Sequence, residues 1–220
     1  MKKKGAKTSI EKALDLIETL KEKDNLGVTE LSGILGLNKN NVFRILATLE
    51  VKGVIEQDRE TGHYKLGMKL LSLEYAYIKN LPFLKKAKPF MRNLRNRTQE
   101  SVYLSILHKD SVVYIHSEET KRSVLVNSRI GRRFPAEKTA SGRAILKGKK
   151  EKGFFIEEDI EGAEPEVSEI ATVIRDDTGQ PIASISIIAP SVRFQKEDRG
   201  YLEKLLLETG EKITEEIEKL

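Results

Sequence analysis

The 220-residue chain contains no cysteine and no tryptophan. Without thiols there is no disulfide framework, no cysteine nucleophile and no zinc finger. Histidine is scarce as well, with only His63, His108 and His116. No apolar run approaches the ~18–20 residues that a membrane-spanning helix needs, and the mean hydropathy is −0.41. Lys2, Lys3 and Lys4 lack the apolar stretch that would make them a secretory signal. Catalytic motifs are missing too: there is no G-x-S-x-G elbow, no P-loop, no G-x-G-x-x-G and no H-E-x-x-H. These absences argue against a membrane protein and against the common hydrolase, nucleotidase and metalloprotease chemistries. The expectation is a cytoplasmic protein that is not an enzyme and needs no cofactor.

What the chain does have is charge, at 33% of residues against roughly 25% in an average soluble protein. The 39 Lys and Arg exceed the 34 Asp and Glu, for a net charge of +5. The distribution is uneven: residues 1–67 carry net +2, residues 68–152 net +13 and residues 153–220 net −10. A basic middle and an acidic end suggest either mutual pairing inside one domain or contact between subunits. The positive balance permits nucleic-acid binding without establishing it.

The N-terminal segment has the pattern of three helices and a hairpin. Thr8 and Glu11 have the spacing of a capping box ahead of Ile10, Ala13, Leu14, Ile17 and Leu20. After Gly27 a short second helix is expected, with Thr29 as N-cap and Leu31, Ile34 and Leu35 facing inward. Gly36-Leu37-Asn38 turns the chain into a third helix carrying Val42, Ile45, Leu46 and Leu49. Two short helices joined by a tight Gly-containing turn form a helix-turn-helix. Short strands on either side of Asp58–Gly62 then make a hairpin, or wing.

In such a motif the second helix enters the major groove with its N-terminal residues nearest the base edges. The candidates for DNA contact are Lys39, Asn40, Asn41, Phe43 and Arg44, with Arg59, His63 and Lys65 on the wing. Asparagine bonds adenine bidentately, arginine bonds guanine, and lysine serves guanine or phosphate. Asn38 is assigned to capping the helix instead. A dimer would fit two half-sites about 34 Å apart.

With Gly27-Val28-Thr29-Glu30-Leu31, the run from Gly36 to Leu49 and the run from Asp58 to Gly67, the sequence resembles the IclR family of transcriptional regulators. The likeness continues through Met68-Lys69-Leu70-Leu71, Thr139-Ala140-Ser141-Gly142-Arg143-Ala144, Arg175-Asp176-Asp177-Thr178-Gly179 and Pro190-Ser191-Val192-Arg193-Phe194. It implies an α+β protein: a winged helix-turn-helix over residues 1–67, a linker helix over 68–80 and a GAF-like effector-binding domain over 81–220. The implied function is sequence-specific binding of double-stranded promoter DNA by a homodimer or tetramer, modulated by a small-molecule effector.

Periodicity agrees with that outline. Leu70, Leu71, Leu73 and Tyr77 form an apolar stripe on the linker helix, and Pro82 starts a new helix. Strands are expected at 101–107, 112–117, 124–128, 169–174 and 182–189, with a hairpin turn at Asp176–Gly179 and a terminal helix over 195–219. The cluster Glu157, Glu158 and Asp159 has the composition of a solvated acidic loop.

The resemblance places the effector at Thr139, Ala140, Ser141 and Gly142, where a helix N-terminus offers backbone N–H groups to a carboxylate. Glu137 belongs to the same loop, Phe134 to Gly142, the opposite strand ends supply Ser186, and matching family positions add His116 and Glu169. His116 stands where an acidic residue is common, Glu169 where a cysteine is common, and Ile188 where a second serine is common. A stretch of helices usual after Gly142 is also missing, which predicts an open or reduced pocket. His116, Glu137 and Glu169 are a mixed nitrogen and oxygen set that could hold a divalent metal if they converge. Two functions follow: an effector-regulated transcription factor, or a constitutive DNA binder whose shortened C-terminal domain serves oligomerisation only.

Overall fold

A computed structural model describes residues 7–195 and 198–219. The lysines Lys2, Lys3 and Lys4, and positions 196 and 197 of the expected terminal helix, lie outside the described residues. The chain divides into two compact units, residues 1–81 and 82–220.

The first unit opens with α1 (Ser9–Glu22), whose capping box is formed: Thr8 Oγ1 accepts from the Glu11 N–H at 3.2 Å, and Glu11 accepts from the Thr8 N–H at 2.7 Å. Helix α2 (Val28–Leu35) starts earlier than expected. Its N-cap is Gly27, whose N–H donates to Glu30 at 2.8 Å, so Thr29 lies inside the helix instead of capping it. Ile34 points outward, because Leu31 and Leu35 already cover the inward arc of two short turns. Gly36, in the left-handed region at φ 64°, ends α2, and Asn38 caps α3 (Lys39–Val51) by accepting from the Asn41 N–H at 2.8 Å.

Strands β1 (Ile55–Gln57) and β2 (Tyr64–Leu66) form the hairpin, antiparallel with Glu56 opposite Lys65. Leu16, Leu20, Leu31, Val42, Leu46, Ile55 and Tyr64 are the buried core they share. At Gly67 a Cβ would stand 2.4 Å from the Gly53 carbonyl oxygen, so only glycine lets the chain leave the hairpin there. Helix α4 (Lys69–Lys79) follows, with none of its side chains buried.

The second unit is a six-stranded sheet between helices. Helix α5 (Pro82–Thr98) leads into β3 (Ser101–His108), β4 (Ser111–Glu118), β5 (Arg133–Pro135), a 3-10 turn at Ala136–Lys138, and α6 (Ala140–Gly148). Then come β6 (Glu157–Ile160), β7 (Val167–Arg175), β8 (Pro181–Pro190), α7 (Ser191–Phe194) and α8 (Arg199–Ile217), the last capped by Asp198. The strand order is β5-β4-β3-β8-β7-β6, antiparallel throughout. Consecutive residues of β7 identify the two faces: Thr172 meets Gly210 of α8, and Val173 meets Gly148 of α6.

Three expectations fail here, the first two through the assignment of sheet edges. Residues 124–128 are not a strand: β5 takes the outer edge of β4, and the segment is held by side chains instead, Arg193 bonding the Val124 carbonyl at 2.7 Å. The Glu157-Glu158-Asp159 cluster is no loop but strand β6, the opposite edge. Arg143 and Lys147 of α6 hold Glu157 at 3.4 and 3.1 Å, and Asp159 is buried, accepting from the Ala163 N–H at 3.0 Å. The terminal helix starts at Arg199, after the separate short α7.

The uneven charge pairs within this unit. Basic residues of the middle segment meet acidic residues of the end in Lys86–Glu216, Arg129–Glu164, Arg132–Glu164 and Arg143–Glu157.

Candidate functional sites

The first site is built on α3. Its core side is set by Val42, Ile45, Leu46 and Leu49, so the 100° step between residues turns Asn40, Phe43, Arg44 and Ala47 outward. Lys39, Asn40 and Arg44 are exposed, and Phe43 exposes 59% of its surface, costly for a phenyl ring with nothing to cover. Asn41 is half-buried and turned toward α1, where it lines a groove with Ser9, Lys12, Ala13 and Arg44.

On the hairpin, Arg59 and Lys65 are exposed. Asp58 shapes the turn: the backbone N–H groups of Thr61 and Glu60 each donate to it at 2.9 Å, which holds its carboxyl below the usual range. His63 is half-buried, and its Nδ1 lies 3.0 Å from the Asn25 carbonyl, the position of a donated proton. It ties the hairpin to the chain ahead of α2.

The second site is the α6-facing side of the large sheet, unusually polar for a buried surface. Tyr103, Ser105, Ser184 and Ser186 lie there with Tyr114 and Glu169, all buried. Glu169 is fully buried and accepts from Tyr114 at 3.0 and 3.1 Å and from Ser141 at 2.5 Å. Burial, reinforced by the Glu169 charge, raises the Tyr114 hydroxyl well above its ordinary pKa, so it stays a donor.

Arg129 completes the cluster. It is fully buried, its Nε 2.8 Å from Glu164 and its Nη1 3.0 Å from the Tyr114 oxygen and 3.4 Å from Glu169. Its Cζ stands 4.9 Å from the Phe134 ring centroid and 5.4 Å from that of Tyr114. In the sequence Arg129 counts only as one of the basic residues of the middle segment, with Arg132 and Arg133, that a constitutive DNA binder could turn to DNA, a role its full burial excludes; no motif pointed to Tyr114 or Glu164.

The expected effector residues are only partly brought together. Thr139 is the N-cap of α6, accepting from the Gly142 N–H at 3.0 Å, and Ala140 is packed in the core. Gly142 is required by contact, since a Cβ there would lie 2.1 Å from the Ala136 oxygen. Ser141, Glu169 and Ser186 do share the polar face, and the Ser186 hydroxyl is buried without a hydrogen-bond partner.

Glu137 and His116 are elsewhere. Glu137 is exposed, away from the buried Glu169. His116 faces the other side of the sheet, because a bulge after Tyr114 pairs Tyr114 with Ser105 but His116 with Leu104. The metal-binding trio therefore does not converge, and no group of three His, Asp or Glu among the described residues is arranged to hold an ion. No helix among the described residues is long and apolar enough to cross a membrane.

Comparison with known proteins gives a consistent set. The model of the IclR helix-turn-helix domain matches residues 9–59, and that of the bacterial transcriptional regulator IclR C-terminal domain matches residues 75–155 and 155–215. The HTH-type transcriptional regulator XynR of Escherichia coli is 35% identical over 139 residues, 63% of this chain and 55% of that protein. The regulator KdgR of Escherichia coli is 29% identical over 225 residues, 86% of this chain and 85% of its own length. Among solved structures, IclR of Thermotoga maritima superposes with a TM-score of 0.77 at 21% identity, covering 96% of this chain and 98% of that one. An IclR homolog from Microbacterium hydrocarbonoxydans, complexed with 4-hydroxybenzoate, superposes with a TM-score of 0.79 at 17% identity, covering 97% of this chain and 100% of that one.

Proposed function

The chain belongs to the IclR family of transcriptional regulators, and from that premise we propose that it reads a promoter sequence through α3 as a homo-oligomer, under control of a small molecule in the second unit. It is a DNA-binding regulator and not an enzyme. The observation that carries the reading is the outward face of α3, where Asn40, Phe43 and Arg44 are exposed while Asn38 is spent on the cap. Asn40 and Arg44 supply base-edge hydrogen bonds, Lys39 reaches bases or phosphate, and Phe43 offers an apolar contact such as a thymine methyl accepts. Arg59 and Lys65 address phosphates along the hairpin. Asn41 and His63 support this surface from behind, by their places beside α1 and against Asn25.

Self-association has support in α4, where Leu71, Leu73, Tyr75 and Tyr77 each expose more than half of their surface. Leu71 and Tyr75 lie on one side of this helix and Leu73 and Tyr77 on the other, and large apolar side chains left uncovered on both sides mark a helix that packs against a partner. The polar face with Ser141, Glu169 and Ser186 is the proposed effector site. Arg129 lying across it favours the second reading as well, in which the unit holds subunits together and DNA binding is constitutive.

The test begins with duplexes selected by the protein from a random pool. Arg44→Ala should weaken the selected duplex by about 1–3 kcal/mol and relax base preference, whereas Lys65→Ala should weaken all sequences alike and lower the salt slope by about 1. Equal loss on selected and random duplexes for Arg44→Ala would count against major-groove readout. A panel of small molecules, measured for altered affinity on the selected duplex, separates the regulated from the constitutive protein.

A further inference from the structure

Arg129 sits in surroundings suited to a cation. Two carboxylates face its guanidinium, Glu164 at 2.8 Å and the fully buried Glu169 at 3.4 Å, with the Tyr114 oxygen at 3.0 Å. Phe134 and Tyr114 present their rings within 4.9 and 5.4 Å, inside the ~6 Å reach of cation–π attraction. Carboxylates with aromatic walls form a box for an amine or guanidinium.

The fit of Arg129 is incomplete. Its Nη2 is buried and has no partner, and neither has the Ser186 hydroxyl on the same sheet face. Buried donors left unpaired are disfavoured, so the resident guanidinium leaves part of the hydrogen-bonding capacity unused. Arg129 is also carried on a stretch with no helix or strand, fastened at the Val124 carbonyl by Arg193 and at the Gly131 N–H by the Tyr114 carbonyl.

Charge decides what could take its place. A carboxylate entering here would meet Glu169 and Glu164, whereas a cation replacing Arg129 keeps both carboxylates compensated. We propose that this buried cluster is a cation box filled by the chain's own Arg129, and that the small molecule it admits is an organic cation with a guanidinium or primary amine. The proposal names the ligand class of the effector site assigned above and rests on that assignment for its regulatory meaning.

The experiment uses the full chain and measures melting of Arg129→Ala with ethylguanidinium, with the neutral isostere ethylurea and with 4-hydroxybenzoate. Arg129→Ala should melt below the unsubstituted protein and regain about 2 °C or more with ethylguanidinium at saturating low-millimolar levels. The other two probes should leave the melting point unchanged. If the variant fails to fold, ethylguanidinium during refolding should raise the yield of folded protein while ethylurea does not. Glu169→Gln in the Arg129→Ala background should abolish the response.

Equal effects of the cation and its neutral isostere, no effect of either, or selective stabilisation by the carboxylate would each overturn the proposal. Affinity for the selected duplex, measured in parallel, separates the two readings. Cation binding that leaves duplex affinity unchanged keeps the box and removes the effector role. A duplex response to carboxylates alone keeps the effector role and removes the box.

Discussion

Tyr114 and His116 stand two residues apart on β4 and face opposite sides of the sheet, because the bulge at Ile115 breaks the two-residue alternation between them. Tyr114 joins the polar cluster with Glu169. His116 is sent to the side of α5, where Lys88, Arg92 and Glu118 surround it, with Glu118 at 3.9 Å, too far for a hydrogen bond.

That placement makes His116 sensitive to acid. Burial pulls its pKa below the ordinary 6.5, Lys88 and Arg92 add to the effect, and Glu118 opposes it. The folded pKa lies below the unfolded one, so the stability His116 contributes is present above about pH 6.5 and lost as pH falls through the folded pKa. Urea unfolding between pH 7.5 and 5 should show the parent protein losing more stability than His116→Gln over that window. Parallel curves for the two proteins would show that burial of the ring carries no charge penalty.

Gly67 is held by contact instead of charge. Alanine there would press its Cβ against the Gly53 carbonyl oxygen, which a rigid hairpin base cannot yield. Gly67→Ala should cost about 1–3 kcal/mol, faster hydrogen exchange in β1 and β2, and weaker duplex binding. Exchange in the second unit should be unchanged.

Arg193 grips the buried Glu100 with two bonds, Nε at 2.6 Å and Nη2 at 2.7 Å, while Arg122 adds a third at 2.8 Å. Breaking a buried pair outright costs about 3–5 kcal/mol, and with Arg193 gone Glu100 keeps only the Arg122 bond, so the loss should fall below that range. Arg193→Met should therefore destabilise, and adding Glu100→Gln to it should recover part of the loss. A double-mutant cycle gives the coupling directly, and additive losses would mean that the pair contributes nothing as a pair.

Arg175 organises the short connection after α6. Its guanidinium donates to the carbonyls of Gly148, Glu151, Gly153 and Gly179 at 2.8–3.1 Å, with no carboxylate among the partners. Lysine cannot reach four carbonyls from one nitrogen with three donors. Arg175→Lys should loosen residues 148–153, seen as faster amide exchange there, and lower stability by about 1–3 kcal/mol. Unchanged exchange would place the rigidity of that connection elsewhere.

Legibility in the sequence followed the range of the interactions concerned. The capping box of Thr8 and Glu11, the Asn38 cap and the Asp58 turn all close within three residues, and each formed as its spacing required. The start of α2 was missed because Glu30 reaches back to Gly27, a competing cap of equal range. Residues 124–128 have strand composition, yet composition cannot say that β5 would take the available edge.

The sequence by itself determined the first unit and its outward helix face, because the helical step and nearby caps orient side chains without distant partners. It also determined the family, through short motifs in order. Only the tertiary structure decided the polar cluster. Tyr114, Arg129, Ser141, Glu164 and Glu169 come from separate strands, a helix and irregular chain, and meet across separations of 15 to 55 residues. One inserted residue, Ile115, sent His116 to the other face. Burial then forced the unlike charges together, since a carboxylate removed from water must find a partner within the fold.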